Sequence, residues 1–365
     1  MNRERQLLAN QGVPYARTMD KKLVKRFQES PFRERFDLGW RWKYIKPVLT
    51  SRSEARNVFF MLTSPIRNFK KIKNKKDRRK VLNFKKNVIV TLTTSPIRLP
   101  KIVAVLATLD LEYITKINIV LPEKYGSKKE EYGPIPKDLF APEFENKVNI
   151  VRIPEDYGPI TKMLPTIEEY KNTNSLVISI DDDVCYPMGM IRELIYQKIV
   201  KHPKDVLTMG AESMPFYSLV KGMKKWWPER KQKRPFIDLV EGWSSILYNP
   251  KLVNTECMLK LSQLSKKCML SDDFVISYAL AVGKVKRARI NNKYAYNPFP
   301  YAYGGGEDAL HAGRGLDDGK KRKHSLEGLD EVNLEKYIAC LENISEYVRR
   351  VKKGNEKDVC KIVKK

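Results

Sequence analysis

The stretch SLVISIDDD (175–183) constrains the fold more than any other in the chain. It is apolar without polar alternation and then stops abruptly at three aspartates. Such a run reads as a strand buried on both faces, so the sheet that contains it must be covered on both sides. Similar short runs precede it: NVIVTLTT (87–94) closed by Ser95 and Pro96, KINIVLP (116–122) ended by Pro122, and NKVNIVRIP (146–154). Helical patterns separate them, LPKIVAVLATLDL (99–111) and GPITKMLPTIEEYKN (158–172), the latter a loop then a helix; YPMGMIRELIYQKIVKHP (186–203) follows the aspartates. Strands alternating with helices predict an α/β fold with a mostly parallel sheet flanked by helices. In such sheets ligands bind beyond the carboxyl ends of the strands. That rule places residues 93–95 and 181–183 on one rim.

Composition sets the domain limits. The 365 residues include 42% hydrophobic ones, enough for a large core and too many for wholesale disorder. Of the net charge of +27, residues 1–86 supply +18, with 25 Lys+Arg against 7 Asp+Glu. We read three regions: a basic N-terminal extension, partly packed (1–86), a catalytic domain (87–325) and a C-terminal helical segment (326–365). The extension contains FDLGWRWKYIKPVL (36–49) and NVFFMLT (57–63), apolar enough to pack. Its LTSPIRNFKKI (62–72) echoes LTTSPIRLPKI (92–102), but one echo does not make a repeat protein. No zinc-finger spacing, RNP-type segment or heptad follows the basic run, so no specific nucleic-acid partner is expected. Peripheral contact with anionic lipid remains open to the basic arm. No apolar run is long enough to span a membrane, and no apolar segment of a secretory signal follows the charged start. The five cysteines are scattered, odd in number and without zinc-ligand spacing, which predicts free thiols and a cytoplasmic address.

Three adjacent carboxylates repel one another unless a cation or hydrogen-bond donors compensate them. On a continuing strand, Asp181 and Asp183 would face one way and Asp182 the other. Hard oxygen ligands of this kind suit Mg²⁺ or Mn²⁺, which bind substrate phosphates beside one or two carboxylates. A helix-capping role would need one aspartate rather than three.

SLVISIDDDVCYP resembles the DxD segment of GT-A fold glycosyltransferases, and the likeness extends over roughly residues 87–311. NVIVTLTTSPIR is similar to the first strand of that fold, with Thr91 placed 92 residues before Asp183. DYGPITKMLP (156–165), EGWSSILYNP (241–250) and LSDDFVISYALA (270–281) resemble further segments of family-2-like enzymes found in bacteria and large DNA viruses. The resemblance implies a Rossmann-like GT-A domain. Its activity would be metal-dependent transfer of a sugar from a nucleotide-diphosphate donor (UDP- or GDP-linked) to an acceptor hydroxyl on a glycan, protein or lipid, an EC 2.4 reaction. A viral source would put it in the host cytoplasm or a viral factory.

Carried over residue by residue, Thr93 and Ser95 lie near the donor, with Asp181 and Asp182 beside its ribose or the metal. Asp183 ligates Mn²⁺ or Mg²⁺, joined by Asp181 and His311, and Lys162 adds positive charge near the pyrophosphate. Gly242 and Trp243 form the acceptor side, where a flat sugar face stacks on the indole. Asp273 is the base, with Asp272 its rival. One base opposite the leaving group favours inversion. His311 lies in GGGEDALHAGRG (304–315), which is no phosphate loop because the Lys-Ser/Thr ending is missing. Lys162 also reads as a surface lysine, Asp272 and Asp273 as helix caps, and Trp243 as a core aromatic. Two other classes fit parts of the pattern. A haloacid-dehalogenase-like Mg²⁺ phosphatase also wants acids after an apolar strand, but its nucleophile strand would come late here. A non-enzymatic polyanion-binding protein would use residues 1–86.

Overall fold

The computed structural model describes residues 38–45, 47, 75–84, 87–126, 129–209, 211–212, 236–290, 297–298 and 331–360. At its centre is β1 (Val88–Thr93), hydrogen-bonded in parallel to β2 (Lys116–Pro122) on one side and β4 (Leu176–Ser179) on the other. Its side chains alternate between the sheet's two faces. Val88, Val90 and Leu92 enter one apolar cluster, together with Ile117, Ile119 and Ile178 of the flanking strands. Ile89 enters the opposite cluster with Val177 of β4. Burial on both sides explains why these strands read as unbroken apolar runs.

Beyond β2 lies β3 (Val148–Ile153), also parallel. On the other side, β9 (Ile246–Tyr248) runs antiparallel to both β4 and β6 (Val206–Thr208), and β10 (Arg287–Arg289) closes the edge parallel to β6. The seven strands thus run in the order β10-β6-β9-β4-β1-β2-β3. Two small antiparallel pairs stand apart: β5 (Val184–Cys185) with β11 (Asn297–Pro298), and β7 (Ala211–Glu212) with β8 (Leu239–Val240). The expected α/β sheet is therefore present, with one strand reversed. Strand order switches direction between β1 and β4, the place where open α/β sheets leave a crevice for ligands.

The first face is covered by α3 (Ile102–Leu106), α5 (Met190–Tyr196) and, from the extension, α1 (Leu38–Ile45) and α2 (Lys75–Phe84). The helix expected over 99–111 is cut short: a 3-10 turn leads into α3, which ends at Leu106. The buried turn after it is met by Arg41 of α1, whose guanidinium donates at 2.6 Å to both Ala107 O and Leu109 O. A side chain from elsewhere thus satisfies carbonyls of the turn that follows this short helix. Trp40 packs edge-on against Phe144 at 5.5 Å, so FDLGWRWKYI does pack. NVFFMLT and the 62–72 echo lie outside the described residues.

The second face carries α4 (Leu164–Tyr170), α6 (Thr255–Ser262), α7 (Lys266–Met269), α8 (Asp272–Val282) and the long C-terminal α9 (Glu331–Lys352). Here the reading of the cysteines needs correction. Cys257 pairs with Cys360 and Cys268 with Cys340, leaving Cys185 as the free, buried thiol. Both bridges bind the C-terminal segment to the pair α6–α7. They join cysteines 103 and 72 residues apart, so no local spacing announced them. Structural disulfides belong mainly to oxidising environments, which is at odds with the cytoplasmic address inferred from free thiols. Among the described residues no helix is long and apolar enough to cross a membrane.

Candidate active site

β4 ends at Ser179, and the three aspartates occupy the turn after it. This corrects the expectation of alternating sides, because no strand continues to impose it. Asp182 turns inward: its Oδ2 accepts Thr94 Oγ1 at 2.6 Å and its Oδ1 accepts Arg98 at 2.8 Å. The same Arg98 nitrogen lies 3.2 Å from Asp183 Oδ2, so Asp182 and Asp183 share one guanidinium. Burial first, then the charge of Asp182, pushes the Asp183 carboxyl up to about 7, against the pull of Arg98. Asp181 faces the other way, with its Oδ1 2.7 Å from Lys162 Nζ.

Register explains why these groups meet. β1 and β4 pair Thr91 with Ser179, so the loops leaving the two strands emerge side by side. Thr93 ends β1 and Ser95 follows it onto this rim, but neither hydroxyl bonds to the aspartates. Thr93 Oγ1 donates to Val120 O at 2.7 Å, and Ser95 Oγ is buried without a hydrogen-bond partner.

The second acidic group comes from α8. Its first turn holds Asp272 and Asp273, where helix amide groups favour negative charge. Asp272 Oδ2 lies 2.8 Å from Lys162 Nζ, so one ammonium joins Asp181 to Asp272. Lys162 is buried rather than a surface lysine. Burial works against its charge, but Asp181, Asp272 and Asp273 outweigh that cost and keep it protonated. Asp273 Oδ1 accepts the Gly242 N–H at 2.6 Å. Burial, followed by repulsion from Asp272, holds the Asp273 carboxyl well above the usual carboxylate range.

The turn 242–245 reaches the same rim because β9 runs backwards. Ile246, its first residue, pairs with Ser179, the last of β4. Trp243 is 41% exposed rather than a core aromatic, and its Nε1 donates to Glu241 at 3.0 Å. Tyr186 fastens this turn to the aspartates. Its hydroxyl donates to Trp243 O at 2.9 Å and accepts the Asp181 N–H at 2.8 Å. Ser245, fully buried with φ at +79°, ends the turn in a backbone region that side chains disfavour.

The sheet therefore gathers Asp181, Asp182, Asp183, Lys162, Asp272, Asp273, Gly242 and Trp243 along one rim. His311 lies outside the described residues. Sequence reasoning missed Arg98, Thr94 and Tyr186. Arg98 was visible as a cation just after an apolar strand, but nothing local linked it to residues 84 or 85 positions later. Tyr186 offered no signal.

Among the described residues no group of three or more His, Cys, Asp or Glu side chains is arranged to hold a metal by itself. The donor set suits a different kind of site. Asp181 and Asp183 are each paired with a cation, Lys162 and Arg98, and Mg²⁺ or Mn²⁺ needs only one or two carboxylates when phosphates and water complete its shell.

No protein-family model matches the chain, and no curated protein does. Among solved structures it is similar to the mannosyltransferase PcManGT from Pyrobaculum calidifontis, determined in complex with GDP-Man and Mn2+. The alignment covers 78% of this chain and 83% of that one, at 11% identity and a TM-score of 0.38. A likeness so loose establishes neither a shared fold nor a shared activity, so the function must be read from the site.

Proposed function

We propose that the chain is a GT-A glycosyltransferase that moves a sugar from a nucleoside-diphosphate donor to an acceptor hydroxyl with inversion. One observation carries the reading. Five carboxylates, Asp181, Asp182, Asp183, Asp272 and Asp273, meet on the rim around two cations, Arg98 and Lys162. Five carboxylates gathered around two cations suit a site completed by a positive ligand.

On the donor side, Asp183 with Asp181 would hold Mn²⁺ or Mg²⁺, and Thr93, Ser95 and Asp182 border the nucleotide. A bound divalent cation would neutralise charge growing on the departing diphosphate. Arg98 fixes the carboxylates around that position, and Lys162 supplies the rim's buried positive charge. On the acceptor side, Trp243 offers its exposed ring to a sugar face. Asp273 takes the proton of the attacking hydroxyl. Asp273 is preferred for this role because Asp272 is already paired with Lys162. Atoms balance simply: the hydroxyl oxygen bonds to the anomeric carbon, the bond to the diphosphate oxygen breaks, and the proton moves to Asp273.

A nucleotide-sugar hydrolysis screen with Mn²⁺ tests the reading, comparing wild type with Asp183→Ala and Asp273→Ala. Asp183→Ala should lose donor binding. Asp273→Ala should keep it and lose transfer. Wild-type turnover by both variants with every donor would remove the proposed site.

A further inference from the structure

The Lys162 ammonium stands where the donor and acceptor sides of the rim meet. Its Nζ lies 2.7 Å from Asp181 and 2.8 Å from Asp272, and only 5% of its side chain is exposed. One of its donors is committed to Asp181 and its charge is paired with both carboxylates, and its burial leaves little access for a substrate phosphate.

Its backbone is held as firmly. The Lys162 carbonyl accepts Thr91 Oγ1 at 2.5 Å, and the Thr91 hydroxyl also meets Thr166 at 2.8 Å. Lys162 ends the 3-10 turn Gly158–Lys162, which rests directly on the residues before Asp272. A Cβ at Gly158, whose φ is +71°, would stand 2.8 Å from Met269 Cγ and 3.0 Å from Met269 O.

Gly242 shows what the ammonium requires of its surroundings. A Cβ there would lie 2.6 Å from Lys162 Nζ and 3.1 Å from Asp273 Oδ1. The lysine tip thus occupies the volume that a side chain at 242 would need. Gly242 does not need unusual backbone freedom; it needs to be small.

We propose that Lys162 is a positioning residue that fixes the spacing between Asp181 on the donor side and the acid pair of α8 on the acceptor side, and that residue 242 is glycine to leave room for its ammonium. The functional consequence rests on the proposed glycosyl transfer; the geometric pairing of Lys162 with Gly242 does not.

The test compares the full chain as wild type, Lys162→Met, Gly242→Ala and the double variant. Three measurements are made: urea unfolding, calorimetric binding of GDP and UDP with Mn²⁺, and steady-state kinetics with the nucleotide sugar that wild type consumes. Gly242→Ala removes no charge, yet it should reproduce Lys162→Met. In each, kcat should fall about 100-fold, the cost of roughly an ångström of misplacement. Nucleotide Kd should stay within about threefold of wild type, and the double variant should be no worse than the poorer single one, as expected of residues acting as a unit. Loss of GDP or UDP affinity of about 100-fold in Lys162→Met, with Gly242→Ala near wild type, would make Lys162 a phosphate ligand and overturn the proposal. Additive unfolding losses in the double variant would overturn it too. That cycle can be read even if no nucleotide sugar is consumed, which separates failure of this arrangement from failure of the proposed reaction.

Discussion

Ser245 shows how much local strain the turn 242–245 carries. Its φ of +79° is one a Cβ resists, and its buried hydroxyl finds no hydrogen-bond partner. The turn persists because its neighbours hold it: Ser245 N donates to Gly242 O at 3.1 Å, and Thr208 Oγ1 donates to Ser245 O at 2.9 Å. Replacing Ser245 with Gly should relieve both costs and raise stability by about 1 kcal/mol, measured by chemical denaturation. A Val there should be destabilising, because its branched side chain tolerates positive φ poorly. At this scale the sequence was a partial guide. Runs such as DDD and DD stood out because adjacent carboxylates demand compensation. Their compensating partners did not, since Arg98 and Lys162 reach them only once β1, α4 and α8 are packed together.

Single elements carry charge in the interior as well. After α5 the chain widens into a π turn, Gln197–Lys201, which buries Lys198 and places its ammonium against Asp205 O at 2.5 Å. Asp205 also meets His202 at 2.9 Å and is the one charged group that counters the burial. Burial dominates and draws the Lys198 ammonium down to about 8. The unfolded chain therefore binds more protons than the folded one between about pH 8 and the ordinary lysine value. Stability should rise with pH across that window. Lys198→Met should remove this slope and add up to about 3 kcal/mol at neutral pH, read from urea midpoints at several pH values. Most element types and strand limits were legible, because strands buried on both faces are apolar throughout. Helix 99–111 was overextended, and the turn after Leu106 is held by Arg41, which stands 66 residues away from the Ala107 carbonyl it meets.

For the whole molecule, the C-terminal helix is the piece least legible beforehand. Its apolar spacing announced a helix that packs on the sheet, and Tyr337, Leu341 and Ile344 do enter the second cluster. Nothing announced that Cys340 and Cys360 would bind it covalently to α7 and to α6. Pairing across 72 and 103 residues depends on tertiary packing alone. Cross-links closing loops of this size restrict the unfolded chain by about 4–5 kcal/mol each in the chain-entropy description, less when one loop lies inside the other. Dithiothreitol should therefore lower Tm by more than 10 °C in differential scanning fluorimetry, given about 2–4 °C per kcal/mol for larger domains. An unchanged Tm under reducing conditions would mean that the four thiols are unpaired in solution.

The reversed strand β9 has a consequence for how such a molecule can diversify. Parallel neighbours offer the rim only the loops that leave them, whereas β9 offers the loop that leads into it. The rim is therefore framed by departing chain except at β9, where arriving chain reaches it. Any change in residues 241–245 must therefore be accommodated by the aspartates as well, because Tyr186 ties the two together.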